Sequence, residues 1–252
     1  MKNEVIIKLE NVVRQFQMGD EVVKALNGVN LEIREGEFVT IMGASGSGKS
    51  TLLNILGCLD SANSGDYYLD GSYIKSLDRN QLADIRNKKL GFIFQSYNLL
   101  SRINALENVE LPLLYNNAVS NEDRRKRALE VIEVMGLTDR IHHTPSQLSG
   151  GQQQRIAIAR ALVNNPRVIF ADEATGNLDT KTSYEIMDII QKLNQAGKTI
   201  VFVTHEPDIA AFSSRTITLK DGVIISDQRN EKVESAEMKL KEYQKETDHE
   251  NQ

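Results

Sequence analysis

The sequence predicts an α/β domain with a mainly parallel sheet, antiparallel β elements on either side of it, and a block of helices inserted in the middle. Three observations carry this. Short apolar, β-branched runs at Phe38–Met42, Gly91–Phe94, Arg167–Asp172 and Lys198–Thr204 read as buried strands of a parallel core. Two Asp-Gly pairs, Asp70-Gly71 and Asp221-Gly222, each sit between short strand-like runs and mark hairpins. Between Asn104 and Asn165 the strand pattern gives way to one that is almost wholly helical.

In chain order, Val5 to Phe16 alternates in part and Val29–Ile33 is β-rich, so the chain opens with strands. Phe16 lies just ahead of a polar turn, Gln17-Met18-Gly19-Asp20, which favours an exposed ring. The strand Phe38–Met42 runs into Gly43-Ala44-Ser45-Gly46-Ser47-Gly48-Lys49-Ser50-Thr51, and a helix follows through Leu56. That nine-residue stretch fits G-x-x-x-x-G-K-[ST], a motif the field reads as a phosphate-binding loop. A strand, a glycine loop and a helix start bring backbone N–H donors and a helix N-terminus to one point, where polyanionic phosphate is favoured. Gly43, Gly46 and Gly48 allow positive φ and close approach of the backbone to a ligand. Lys49 is placed to contact β- and γ-phosphates, and the Ser50 hydroxyl to ligate Mg2+. A plain connecting turn has no need of the Lys-Ser pair.

In the helical block Ala128, Leu129, Ile132 and Met135 share one face, and Gly136 suits the position just past that helix. Leu148-Ser149-Gly150-Gly151-Gln152 offers an N-cap serine and two glycines at the start of a helix expected over Gln152–Val163. This is either a helix cap or a second anion site without lysine; as the latter it takes the γ-phosphate of a nucleotide held elsewhere, which a head-to-tail dimer supplies. Pro166 stops the preceding helix, and the strand through Asp172 ends in two carboxylates, Asp172 and Glu173. Asp172 is the natural Mg2+ partner of the phosphate loop, and Glu173 is placed to accept a proton from an attacking water. A helix over Thr182–Leu193 then leads through Gly197 to the last parallel strand.

Composition sets outer limits. The 252 residues allow one large domain or two modest ones; 40% hydrophobic and 26% charged content is ordinary for a soluble protein. A net charge of −5 leaves no general basic surface for nucleic acid. The one cysteine, Cys58, precludes an internal disulfide framework and reads as a buried small hydrophobe. No apolar run approaches the roughly 20 residues needed to cross a bilayer, and Met1-Lys2-Asn3-Glu4 lacks a secretory signal's start. A cytosolic protein, or one held at a membrane through a partner, is expected. From Arg229 to Gln252 the chain is strongly charged and fits a solvated helix with i,i+4 pairs or a disordered tail without catalytic role.

With these motifs in hand, the chain resembles the ATP-binding subunit of an ABC transporter over about Glu4 to Asp227. Gly43–Thr51 corresponds to Walker A, Gln95 to the Q-loop, Leu148–Gln152 to the signature, Val168–Glu173 to Walker B, Gly176-Asn177-Leu178-Asp179 to the D-loop, and His205 to the switch histidine. The resemblance implies a P-loop NTPase fold with a RecA-like core (about 1–95 and 166–228), a helical subdomain (about 96–165) and a tail (229–252). It implies ATP and Mg2+ as ligands and a homodimer with two ATPs, each between Walker A of one copy and the signature of the other. It further implies that Phe16 stacks on adenine, with a core aromatic as the alternative. Gln95 would sense Mg2+ and relay to a membrane partner, and His205 would touch the γ-phosphate. His142, His143 and His249 match no motif and read as solvated. One departure is visible: Ala174 stands where the family usually has proline, which removes a rigid element but no chemical group.

Within the family the chain looks most like the MacB/LolD-like branch, on Gly57-Cys58-Leu59-Asp60, Phe94–Leu100, Glu107–Pro112, Leu148–Arg155 and Thr175–Asp179. That likeness implies an ATPase at the cytoplasmic face of the membrane. It would power a separate permease of FtsX or MacB type that exports or extracts a drug, peptide or lipoprotein, with a periplasmic adaptor as a further candidate partner. The alternative is mechanotransmission or peptide sensing with no substrate crossing. A soluble DNA-repair ATPase of the same superfamily is disfavoured, since neither sustained heptads nor a basic stripe is present.

Overall fold

A computed structural model describes residues 4–116 and 119–250, with side chains through 247. The sequence reading of the extreme N-terminus thus falls, for Met1 to Asn3, outside the described residues. The strands and helices in chain order are β1 (Val5–Met18), β2 (Glu21–Arg34), β3 (Phe38–Met42), α1 (Lys49–Leu56), β4 (Ser64–Leu69), β5 (Ser72–Tyr73), α2 (Arg79–Lys89) and β6 (Leu90–Phe94). They continue with α3 (Ala105–Glu110), α4 (Asn121–Val134), α5 (Gly150–Leu162), β7 (Val168–Asp172), α6 (Thr180–Gln195), β8 (Thr199–Thr204), α7 (Pro207–Ala210), β9 (Arg215–Lys220), β10 (Val223–Arg229) and α8 (Ala236–Glu250). Two compact units arise, Met1–Arg86 with Gln191–Glu234, and Asn87–Ile190 with Ser235–Gln252.

The first unit holds an antiparallel sheet in the order β2-β1-β4-β5 and a run of strands in the order β10-β9-β3-β8. β3 is parallel to both β8 and β9, and its residues Phe38 to Ile41 are fully buried, as the unbroken apolar run required. Asp70 and Asp221 have φ of 48°, followed by Gly71 and Gly222 at 73° and 75°, so each hairpin turns through two left-handed residues. α1 touches both β2 and β8, so the helix after the glycine loop packs on strands of both sheets. Tyr67, buried on β4, donates to the Leu56 carbonyl at 2.6 Å and closes the end of α1.

The second unit pairs β6 with β7 in parallel and packs α5 on β6, with α3, α4 and α5 against one another. The approach of α5 explains Gly91: a Cβ there would lie 2.6 Å from the Ala161 carbonyl oxygen. The expected helical block is present, broken by 3-10 turns such as Leu111–Tyr115. Ala128, Ile132 and Met135 are its buried stripe, and Gly136 has φ of 68° past the helix end. Two helices start earlier than their periodicity indicates. α5 begins at Gly150 because Ser149 caps it, and α6 begins at Thr180 because Asp179 accepts from the Thr182 N–H and hydroxyl. Those contacts, the hydroxyl first, hold the Asp179 carboxyl below its ordinary range. The charged tail forms α8, with the i,i+4 pair Glu237–Lys241 and Tyr243 meeting Tyr184 of α6 edge to face. Among the described residues no helix is long and apolar enough to cross a membrane.

Candidate active site

The phosphate loop of the first unit leaves the C-terminal end of β3. Its shape follows from two close approaches. A Cβ on Gly43 would collide with the Leu219 carbonyl and the Ser47 hydroxyl, and one on Gly48 would collide with the Ala25 carbonyl. Gly48 also sits at φ of 103° as the residue before α1, a backbone state that L side chains avoid. The Ser47 carbonyl accepts from the Gly222 N–H at 3.0 Å, so the β9–β10 turn braces the loop. Lys49 is buried; its ammonium donates to the Gly43 and Ala44 carbonyls at 2.7 and 2.9 Å. Of its three donors, one is left over for an anion inside the curl. The Ser47 hydroxyl is buried with no partner, while Ser45, Gly46 and Ser50 are exposed and Thr51 is half-buried. The first-turn N–H groups of α1 point the same way as every helix start, toward negative charge.

Parallel registry fixes what stands beside this loop. Met42, the last residue before it, pairs with Thr204, so His205 leaves β8 directly alongside Gly43. Phe16, near the tip of the β1–β2 ribbon, is 39% exposed, which sets aside a role in the core.

The second unit repeats the device. Phe94 pairs with Asp172, so Gln95 and Glu173 leave neighbouring strands at the same edge. Glu173 has φ of 45°, in the left-handed region. A following proline biases its predecessor toward extended backbone; Ala174 places no such demand on Glu173. Ala174 is buried and its carbonyl accepts from Gln154 of α5 at 2.8 Å. The expected D-loop is tied back to Gln95: the Asn177 amide donates to the Gln95 carbonyl at 3.2 Å and accepts from the Gln95 amide at 3.4 Å.

On α5 the Ser149 hydroxyl accepts from the Gln152 N–H at 3.3 Å, and the Gln152 side chain accepts from the Ser149 N–H at 3.0 Å. This capping box leaves the N–H groups of Gly150 and Gly151 in the unpaired first turn. A Cβ would lie 2.9 Å from the Tyr97 hydroxyl at Gly150 and 2.6 Å from the Thr182 methyl at Gly151, so a side chain at either position would have to displace these neighbours. Sequence reasoning missed Tyr97 and Thr182, and it missed Arg160. The Arg160 guanidinium donates to the Tyr97 carbonyl at 2.8 Å and the Asn98 carbonyl at 2.5 Å, holding two consecutive residues at φ of 60° and 50°. Burial pushes its pKa down. Asn108, fully buried, exchanges bonds with both backbone groups of Leu100 and so shapes the segment after Gln95. Of the unmatched histidines, His142 is exposed and His143 meets Arg140 at 3.3 Å; the side chain of His249 lies outside the described residues.

The residues suit the two ligands expected. The curled lysine, the orphaned Ser47 hydroxyl and the side-chain-free glycines are chemically suited to hold phosphate. Ser50, Gln95 and Asp172 each carry a side-chain oxygen, the donor type that Mg2+ prefers. Among the described residues no cluster of three His, Cys, Asp or Glu forms a self-sufficient metal cage.

The sequence matches the ABC transporter family over residues 26–176. An uncharacterised ABC transporter ATP-binding protein of Methanocaldococcus jannaschii is 54% identical, covering 89% of this chain and 97% of its own length. The macrolide export ATP-binding/permease protein MacB of Chlorobaculum tepidum is 52% identical over 90% of this chain, which spans about a third of that protein (34%). A solved dimer of an ATP-binding cassette in a post-hydrolysis state, bound to ADP and Pi, superposes with a TM-score of 0.82 at 52% identity, covering 89% of this chain and 98% of the other.

Proposed function

Since the chain belongs to the ABC transporter family, with a P-loop NTPase fold, we propose that it is the ATP-hydrolysing subunit of a transporter of MacB type. In this reading it works at the cytoplasmic face of a membrane on a permease carried by a separate chain, exporting or extracting a drug, peptide or lipoprotein. The observation that carries the branch is the 52% identity to the MacB sequence across most of this chain.

Each residue then has a task. Phe16 receives the adenine. Gly43, Ser45, Gly46, Ser47, Gly48 and Thr51 wrap the triphosphate, and Lys49 exchanges its loop carbonyls for β- and γ-phosphate oxygens. Ser50, Gln95 and Asp172 would hold Mg2+, which would offset the negative charge of the phosphates. Glu173 takes a proton from the water whose oxygen attacks the γ-phosphorus; the bond from that phosphorus to the β–γ bridging oxygen breaks, leaving ADP and phosphate. His205 bonds a γ-phosphate oxygen. Ser149, Gly150, Gly151 and Gln152 of a second copy cap the same γ-phosphate, so two chains close over two ATPs. Support for a pair comes from the dimeric relative bound to ADP and Pi.

The segment Gln95–Leu100 and the helices after it are the surface offered to the permease; Leu100, Leu114 and Tyr115 are 49%, 52% and 73% exposed there. A periplasmic adaptor is a further partner in this proposal. The test is affinity purification from membranes with identification of the bound integral protein, then reconstitution in vesicles. A permease that moves substrate only with ATP supports export. ATP turnover with no movement favours the mechanical or sensing alternative, and recovery with no membrane protein overturns both.

A further inference from the structure

We propose that Arg14 is a positioning residue for nucleotide binding: its guanidinium backs one face of Phe16 and fixes the ring so that the other face receives the base. This rests on the reading of Phe16 as the adenine platform.

The guanidinium carbon lies 4.5 Å from the centroid of the Phe16 ring, a cation–π stack. Two anchors hold it there. Arg14 Nε makes an ion pair with Asp60 Oδ2 at 2.8 Å, off the line of a hydrogen bond, with both side chains less than a third exposed, and Nη1 donates to Asn63 Oδ1 at 3.4 Å. The same Asn63 oxygen accepts from the Gln15 N–H at 2.9 Å, and the Asn63 N–H donates to the Val13 carbonyl at 2.8 Å. The backbone on both sides of Arg14 is therefore stitched to the segment that follows α1. α1 is the helix whose first residue is Lys49. Arg14 thus links the aromatic end of the site to the element that carries its phosphate end.

The physical consequence is pre-organisation. A phenylalanine near the tip of a two-stranded ribbon, 39% exposed, has rotamers to lose when a base stacks on it. A guanidinium pinned by a carboxylate and an amide holds the ring beforehand, so the base meets a fixed platform. It also occupies one ring face, so a base can stack only from the other. A cation–π contact at a partly exposed site corresponds to about a two- to fivefold change in affinity.

The experiment is calorimetric titration of the purified chain with ATP and, as a base-free probe, inorganic tripolyphosphate. Arg14→Met is expected to weaken ATP about two- to fivefold with tripolyphosphate unchanged, and in steady state to raise KM for ATP rather than lower kcat. Arg14→Lys keeps the pair with Asp60 but loses the flat stack, and should fall between wild type and Met. Phe16→Ala should weaken ATP by more, and adding Arg14→Met to it should change nothing further. If Phe16→Ala weakens ATP but neither Arg14 variant does, the positioning role is wrong while the platform stands. If Phe16→Ala leaves ATP binding intact, the platform itself fails and the proposal with it. Equal losses for ATP and tripolyphosphate in Arg14→Met would mean that Arg14 serves the fold, which also overturns it.

Discussion

Alanine at Gly48 and at Gly46 should have sharply different consequences, although both replace a glycine of the same loop at positive φ. At Gly46, φ is 80° and a Cβ would meet nothing within 4 Å. The cost is left-handed strain of about 1–2 kcal/mol, partly offset by about 0.4–1 kcal/mol from a less flexible unfolded chain. At Gly48, φ is 103° and the Cβ would press on the Ala25 carbonyl of β2. A backbone atom cannot swing aside as a side chain does, so either β2 or the start of α1 must move. Overpacking of this kind adds about 1–3 kcal/mol. For a chain of this length each kcal/mol lowers Tm by about 2–4 °C. Thermal unfolding without nucleotide, followed by circular dichroism, should show Gly46→Ala lower by a few degrees at most. Gly48→Ala should fall by roughly 5–15 °C. Equal shifts for the two would show that the loop does not nest under β2 as described.

Lys49→Ala removes the ammonium that donates to the loop carbonyls and is proposed to contact the phosphates; titration calorimetry should show ATP affinity falling at least about tenfold, and unchanged affinity would remove the phosphate role. Burial pushes the Cys58 thiol up to about 11. The native thiol should therefore react far more slowly with a thiol reagent at pH 8 than after unfolding in urea. Because the unfolded thiol ionises first, that group's contribution to stability is intact below about pH 9 and falls as pH rises toward 11. Cys58→Ala should flatten that part of a stability–pH profile, and an unchanged slope would contradict the burial account.

Much of the fold was legible because its signals are local. Phe38–Met42 could only be a buried strand, and each Asp-Gly pair asked for a turn with two left-handed residues, which is what both hairpins contain. Helix limits were read less well where a cap decides them. Ser149 and Asp179 start their helices earlier than apolar periodicity alone indicates. The phosphate loop was legible in sequence, but the reasons for its glycines were not. Leu219 and Ala25, which exclude side chains at Gly43 and Gly48, are far away along the chain. The same holds for Arg160 on the Tyr97 and Asn98 carbonyls, 63 and 62 residues apart, and for Arg14 held by Asp60. No residue pattern marks Tyr97 as left-handed; its conformation exists because an arginine on α5 holds its carbonyl. The tail left two outcomes open because its charge pattern suits a helix in water as well as no structure. Tyr243 against Tyr184 is the contact that composition could not show.

The central claim is that one chain holds half a site, completed by Ser149-Gly150-Gly151 of a second copy. Sedimentation velocity of Glu173→Gln with saturating ATP and Mg2+ tests it most directly, since the variant keeps the proposed binding groups and lacks the proposed base. The account predicts that the 28.3 kDa chain doubles in mass only with ATP and reverts to monomer when Ser149→Arg is added. A Glu173→Gln chain that binds ATP and stays monomeric, or a dimer that Ser149→Arg does not disturb, would contradict it.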